Sequence, residues 1–113
     1  MARLERIRED LRLTVRVEQD GEEVLIRAFG ELDHANAMTL EEELRLALGG
    51  TAPGVVLDLC GLTFIDLEGL QVLVLMGRHS LRRGGRLCLL RGSDVVDRAI
   101  EARGLASSLP LAD

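Results

Sequence analysis

The chain has no lysine, tryptophan or tyrosine, and its only aromatic residues are Phe29 and Phe64. Nucleic-acid recognition draws on a basic face, and single-strand binding on stacking rings. A net charge of −5 with 2% aromatic residues supplies neither, so no nucleic-acid partner is expected. The one local basic cluster, Arg82, Arg83 and Arg86, reads as the positive last turn of a helix, which complements the helix dipole. Long apolar runs are also missing. None in the sequence nears the ~20 residues of a membrane span. The opening Met1-Ala2-Arg3-Leu4-Glu5-Arg6 is charged where a signal peptide turns apolar. A cytoplasmic protein that does not insert into a membrane is expected.

Only two cysteines are present, Cys60 and Cys88, and each follows or sits in an apolar run. Such free cysteines are expected to be buried small hydrophobes. There is no C-x-x-C, and His34 and His79 are not spaced as a ligand pair on one helix. No metal, cofactor or disulfide is expected. The phosphate-cradling and nucleophile motifs Gly-x-Gly-x-x-Gly, Gly-x-x-x-x-Gly-Lys-Ser/Thr and Gly-x-Ser-x-Gly are absent as well. No serine or cysteine has a neighbouring histidine that reads as nucleophile and base. Asp58 and Asp66 could be taken as a catalytic carboxylate pair. However, Asp58 sits in an apolar strand, Asp66 reads as a helix cap, and 19 acidic residues make such pairs common. The expectation is a binding protein and no enzyme.

What is present is a chain of 113 residues, 47% of them hydrophobic, enough for one α/β domain with its own core. Residues 1–10 are charged, with Leu4 and Ile7 three apart, which suggests an N-terminal arm or a short amphipathic helix. The domain proper is placed at 11–113. Leu11, Leu13, Val15 and Val17 then alternate with Arg12, Thr14, Arg16 and Glu18, the period of a half-buried strand. Asp20-Gly21 suits a hairpin turn, and Val24–Phe29 forms the second strand, which Gly30 stops. Asp33 or Asn36 can cap a helix over roughly 35–48. The near-continuous apolar run Val55–Leu59 is typical of a central strand covered on both sides. Asp66 is the cap of a helix from about 67 to 83, Arg86–Leu90 is the fourth strand, and Ser93 caps a last helix that Gly104 closes. The order β-β-α-β-α-β-α implies a mixed, mostly parallel four-stranded sheet with an antiparallel hairpin at one edge.

Two segments carry a family pattern. Gly30-Glu31-Leu32-Asp33-His34 enters the first helix, and Val55–Leu59 runs into Leu62-Thr63-Phe64-Ile65-Asp66 with Gly69-Leu70 beyond. In this order and spacing they resemble the STAS domain, the fold shared by sulfate transporter tails and anti-sigma factor antagonists. The resemblance covers about residues 11–110. A domain with no transporter attached resembles the bacterial antagonists. It implies a partner that is an anti-sigma factor and also a serine kinase, released when a serine at the start of the second helix is phosphorylated. The usual pattern there is Asp-Ser-Ser-Gly or Asp-Ser/Thr-x-Gly. Here it reads Asp66-Leu67-Glu68-Gly69, so Glu68 stands where the modified serine is expected and no hydroxyl is available. Three readings stand for Glu68. It is a favourable residue in a helix's first turn, a fixed imitation of the phosphorylated state, or a position that a different partner never tests.

The helix that starts at Asp66 shows two apolar sides. Leu67, Leu70, Val74, Gly77 and Leu81 are assigned to the sheet. Val72, Leu75, Met76 and His79 fall on the other side, below Glu68, and are expected to be exposed as an interface. The competing reading is that Leu4 and Ile7 fold over that stripe. The expected partner-binding set is therefore Gly30, Glu31, Leu32, Asp33, Asp66, Leu67, Glu68, Gly69, Val72, Leu75, Met76 and His79. The resemblance implies regulation of transcription through an anti-sigma factor. The alternative is a STAS subunit docked on the ATPase of a membrane lipid ABC transporter. The sequence leaves the oligomeric state open.

Overall fold

The computed structural model describes residues 4–19 and 21–112. Alternation in the second segment acts as period two requires. Leu13, Val15 and Val17 are buried while Thr14 and Arg16 are half covered. The strands are β1 (Leu4–Asp10), β2 (Leu13–Gln19), β3 (Glu23–Leu32), β4 (Gly54–Ile65) and β5 (Leu87–Leu90). The helices are α1 (Ala37–Gly49), α2 (Leu67–Arg82) and α3 (Asp94–Ala102). One sheet runs β1-β2-β3-β4-β5 in sequence order. Antiparallel pairing sets Val15 opposite Ala28, and parallel pairing sets Val24 beside Val55 and Val55 beside Leu87. The expected pairing of these segments holds from Leu13 onward, while Leu11 and Arg12, expected in the strand, lie in the turn before it, with Leu11 exposed. The expected turn residue Asp20 lies outside the described residues.

Parallel neighbours need crossovers, and α1 and α2 supply them between β3, β4 and β5. Because the strand order is sequential, two right-handed crossovers put both helices on one face of the sheet. One core cluster joins Val15, Ile26, Leu57 and Leu89 from the strands to Leu44, Leu73 and Ile100 from the three helices. The opposite face is open. Val56 and Asp58 on β4 are only half buried there, so Val55–Leu59 is central but not covered on both sides. Phe29 and Leu90 lie exposed on that open face among ion pairs such as Arg16–Glu18 at 2.8 Å. The cysteines depart from expectation for the same reason. Cys60 is exposed and Cys88 half-buried, because neither belongs to the phase that meets the helices.

The sheet has five strands where four are expected, because residues 4–10 form β1 and not an arm or helix. Its Arg6 and Arg8 pair across to Val17 and Val15, which turns both guanidinium groups toward α1. The hairpin turn between β1 and β2 is Leu11-Arg12, both with positive φ, 39° and 72°. A two-residue hairpin turn of that hand usually uses Gly, Asn or Asp, so the sequence carried no turn signal there. The Arg12 carbonyl accepts from Glu31 N at 2.9 Å and lies against Gly30. A Cβ at Gly30 would sit 2.1 Å from that carbonyl oxygen, and φ there is +97°. Gly30 therefore does not stop β3. It lets the strand pass under the turn, with a register shift between Gly30 and Glu31, and continue to Leu32.

Polar contacts hold β1 against α1. Arg6 and Arg8 both reach Glu43, which is 5% exposed, and Thr39 donates to Asp10 at 2.7 Å. Arg86, expected at the positive end of α2, lies beyond that helix. Its guanidinium instead donates to the Leu48 and Ala52 carbonyls and satisfies the end of α1. Burial raises the pKa of Glu43, but the hydrogen bonds from Arg8 and Arg6 outweigh it and leave the carboxyl below its ordinary range. A depressed folded value means stability present above the unfolded value of about 4.3 and lost as pH falls through the folded one. Glu43→Gln should therefore be less stable than wild type at neutral pH, and the gap should narrow below pH about 4. Urea unfolding across pH 7 to 3 reads this. A gap that stays constant over that window would show that the charge of Glu43 contributes nothing.

Candidate functional site

The parallel strands β3 and β4 end side by side, with Leu32 in register with Ile65. Carboxyl ends of neighbouring parallel strands are where loops of an open sheet gather. Here the loop 33–36 and the start of α2 meet. Asp66 N donates to the Leu32 carbonyl at 3.1 Å, which ties the second loop to the first strand. The Asp66 carboxylate then spans both segments. Its Oδ1 accepts from Gly69 N at 2.9 Å, the expected helix cap, and its Oδ2 accepts from His34 N at 2.9 Å. The His34 ring Nδ1 lies 3.4 Å from the same Oδ2.

Beneath this bridge lies a buried polar knot. Asp33 Oδ1 accepts from Ala35 N at 2.9 Å, and its Oδ2 accepts from Arg12 Nη2 at 2.7 Å. The Arg12 hydrogen bond holds the Asp33 carboxyl below the usual carboxylate range, against the opposing effect of burial. Asn36 Oδ1 accepts from Asp33 N at 2.9 Å, and Nδ2 donates to the Leu11 and Glu31 carbonyls at 2.7 and 2.9 Å. Neither residue caps α1 with its side chain, contrary to expectation. Asp33 closes a turn onto Ala35, and Asn36 is spent on tying β1–β2 and β3 together.

The structure sorts the expected binding residues into a frame and a surface. Leu32 is fully buried, Asp33 is 6% exposed, and Gly69 is buried. A Cβ at Gly69 would lie 2.8 Å from Ile65 Cγ1 and 3.0 Å from the Leu32 carbonyl oxygen, so helix and strand need that glycine to approach. Gly30, Glu31 and Asp66 are half-buried, while Leu67 and Glu68 are exposed. Val72 and Met76 correct the interface assignment. They are 8% and 0% exposed, because α1 packs along α2 and covers that side. Leu75 alone of that stripe stays open, at 45%. His79 is half-buried and sits eleven residues beyond Glu68, about 16 Å along the helix. Its pKa is lowered by burial and by Arg45, Arg83 and Arg82.

The other side of α2 also differs from expectation. Leu70 is buried, but Leu67 and Leu81 are exposed at 46% and 71%, and Gly77 faces Pro110 of the C-terminal segment, not the sheet. Two positions escaped the sequence reading. Met38 and Gln71 are exposed and line a shallow groove with His34, Glu41, Glu68 and Leu75. Met38 sits in the first turn of α1 and is 63% exposed, although its spacing to Leu40 and Leu44 matches the apolar side of a helix. Glu68 thus stands on the exposed rim of a groove between the starts of two helices.

These features define a class: a small α/β domain with one helical layer on a mixed sheet, its exposed helix start held by an aspartate shared between two loops. The chain belongs to the STAS domain family, which matches residues 14–113. It is similar to an anti-sigma F factor antagonist of Lysinibacillus sphaericus, 32% identical over 85 residues, covering 74% of this chain and 73% of that one. It is also similar to an anti-sigma F factor antagonist of Paenibacillus polymyxa, 27% identical over 106 residues, covering 91% and 89%. The crystal structure of an anti-sigma factor antagonist from Mycobacterium paratuberculosis shares the fold, with a TM-score of 0.77, 24% identity and coverage of 88% and 84%. Among the described residues no helix is long and apolar enough to cross a membrane.

Exposure separates Leu75 from its neighbours in a way substitution can test. Leu75→Glu should shift the melting midpoint little. Met76→Glu should cost several kcal/mol, since it puts a carboxylate in a fully buried site. Thermal unfolding followed by circular dichroism compares the two. Equal losses would mean that Leu75 is core.

Proposed function

We propose that the chain is a non-catalytic antagonist that binds an anti-sigma factor of the serine-kinase type through the start of α2. Glu68 stands in place of the phosphorylatable serine. One observation carries the reading. Glu68 projects from the first turn of a helix whose cap is already filled by Asp66, so its charge is free to be read by a partner. Leu67, Leu75 and Met38 give exposed apolar area around it, at 46%, 45% and 63%. Glu41 and Asp66 make the surroundings acidic.

In this reading Glu68 holds permanently a charge that phosphorylation would bring and remove. A phosphoserine carries about −1.5 to −2 and a glutamate −1. A partner surface that releases phosphoserine disfavours an anion at this spot. Burying an unpaired carboxylate in the contact costs about 3 kcal/mol, roughly a hundredfold in affinity. The helix dipole returns about 0.3–1 kcal/mol and does so in the free protein too, so the contact penalty dominates.

The expected outcome is that Glu68→Ser binds its anti-sigma kinase more tightly than wild type, by up to about a hundredfold in titration calorimetry. Mass spectrometry after incubation with that kinase and ATP should find phosphate in the 66–69 turn of the serine variant only. Weaker binding by Glu68→Ser would refute the fixed-charge reading and point to a cation on the partner that anchors Glu68.

A further inference from the structure

A second groove runs along the side of α2 that faces away from α1. It is lined by the apolar Leu67, Leu70, Val74, Leu75 and Leu105 with Gln71 among them, Arg78 and Arg103 also border it, and its volume is about 370 Å³. The positions 67, 70, 74, 75 and 78 recur at helical spacing, so one side of α2 forms a continuous floor. Leu67 and Leu75 are about half exposed, and Val74 and Leu105 are partly covered. Single exposed leucines need no explanation, but a continuous apolar floor does.

The charge around this floor is uneven. Arg78 and Arg103 are both exposed, and neither has an ion-pair partner among the described residues. At the opposite end, by Leu67, the charge is that of Glu68. Leu67 and Arg78 are eleven residues apart, about 16 Å or three helical turns. The groove is therefore mostly apolar, with Gln71 as its uncharged polar residue, and Arg78 puts positive charge at the end away from Glu68.

The geometry points to this groove as a docking site for an acidic amphipathic helix of the partner. Apolar side chains of that helix lie over Leu67, Val74 and Leu75, and carboxylates reach Arg78 and Arg103. Unpaired guanidinium groups beside an apolar floor select a carboxylate-bearing segment over a basic one. A helix with its acidic residues in its own first turn docks antiparallel to α2, since those residues also stabilise its N-terminus. The inference rests on the binding role proposed above and adds the chemistry of what is bound. It concerns a side of α2 that Glu68 does not line.

A blocked, alanine-based helical peptide tests it, with two glutamates in the first turn and leucines along one face over the next roughly three turns. Its twin carries lysines in place of the glutamates. Amide chemical shifts of the whole protein should move at Leu67, Val74, Leu75 and Leu105 with the acidic peptide and much less with the basic one. The double variant R78E/R103E should weaken the acidic peptide at least about fivefold at low salt. Both arginines are exposed, and an unchanged circular dichroism spectrum would show that the variant folds. Equal binding of both peptides, shifts confined to the open sheet face at Phe29 and Leu90, or no binding would each overturn the proposal. So would shifts at Leu67 and Leu75 that grow with protein concentration alone, which would place a second copy in the groove. The peptide titrations use neither an anti-sigma kinase nor a variant of Glu68, so their outcome does not depend on the calorimetry. Failure of the groove thus reads separately from failure of the Glu68 calorimetry.

Discussion

The carboxylate of Asp66 has two oxygens, and each holds a different segment. One closes the first turn of α2 on Gly69 N, and the other takes the backbone N–H of His34 from the loop before α1. The rest of the exposed surface depends on that division. Without the second contact the starts of α1 and α2 would be set by the Asp66 N–Leu32 carbonyl bond and by apolar packing further along. With it, His34, Met38, Glu68 and Leu75 keep fixed positions around one groove. Close approach makes the bridge possible. Gly69 lets the helix lie against Leu32 and Ile65, and a Cβ there would push the helix start off the strand ends.

The bridge in turn stands on the buried Asp33 and Asn36 and on the exposed Arg12 that reaches in to Asp33. Asn36 spends its amide on the Leu11 and Glu31 carbonyls, and Arg12 spends a guanidinium nitrogen on Asp33. These contacts fasten the β1–β2 turn to the end of β3. A chain without lysine uses arginine for every such role outside its termini. A planar guanidinium can serve two acceptors at once, as Arg86 does for the Leu48 and Ala52 carbonyls. Polar contacts, not apolar burial, therefore hold β1 in place. Leu4 and Ile7 are 47% and 55% exposed, while Arg6 and Arg8 reach the buried Glu43.

Periodicity and capping made much of this legible in the sequence. The alternation of residues 13–17 and the run Val55–Leu59 fixed the pairing of β2 through β5, and Asp66 and Ser93 marked two helix starts. The strand at 4–10 was hidden because its turn uses Leu11 and Arg12 at positive φ, where neither residue type signals a turn. Its inward residues are charged, so no apolar alternation announced it. The faces of α2 were misassigned because both sides are apolar in sequence, and only packing shows which one a neighbour takes. α1 took Val72 and Met76, and the C-terminal segment approached Gly77. Burial of Asp33 was equally hidden. An aspartate in a loop reads as exposed until its arginine, 21 residues upstream, is placed beside it.

Glu68 is a charged position of the site that the fold does not need. Gly69 is fixed by contact with Leu32 and Ile65, and Asp66 by its two N–H groups. Leu67 borders the groove along α2, and Asp33 is locked to Arg12. Glu68 accepts no cap bond: Asp66 Oδ1 takes the Gly69 N–H, and the Asp66 N–H that a capping-box carboxylate would accept goes to the Leu32 carbonyl. Its contribution to the helix is the dipole term alone, about 0.3–1 kcal/mol. Exchanging a serine for a glutamate here therefore leaves packing, caps and the loop bridge unchanged. It alters only the charge shown at the surface. A frame held in this way around one unconstrained side chain lets the charge at residue 68 vary with little cost to folding. That separation follows from the second oxygen of Asp66, which holds the loops whether residue 68 is neutral or charged.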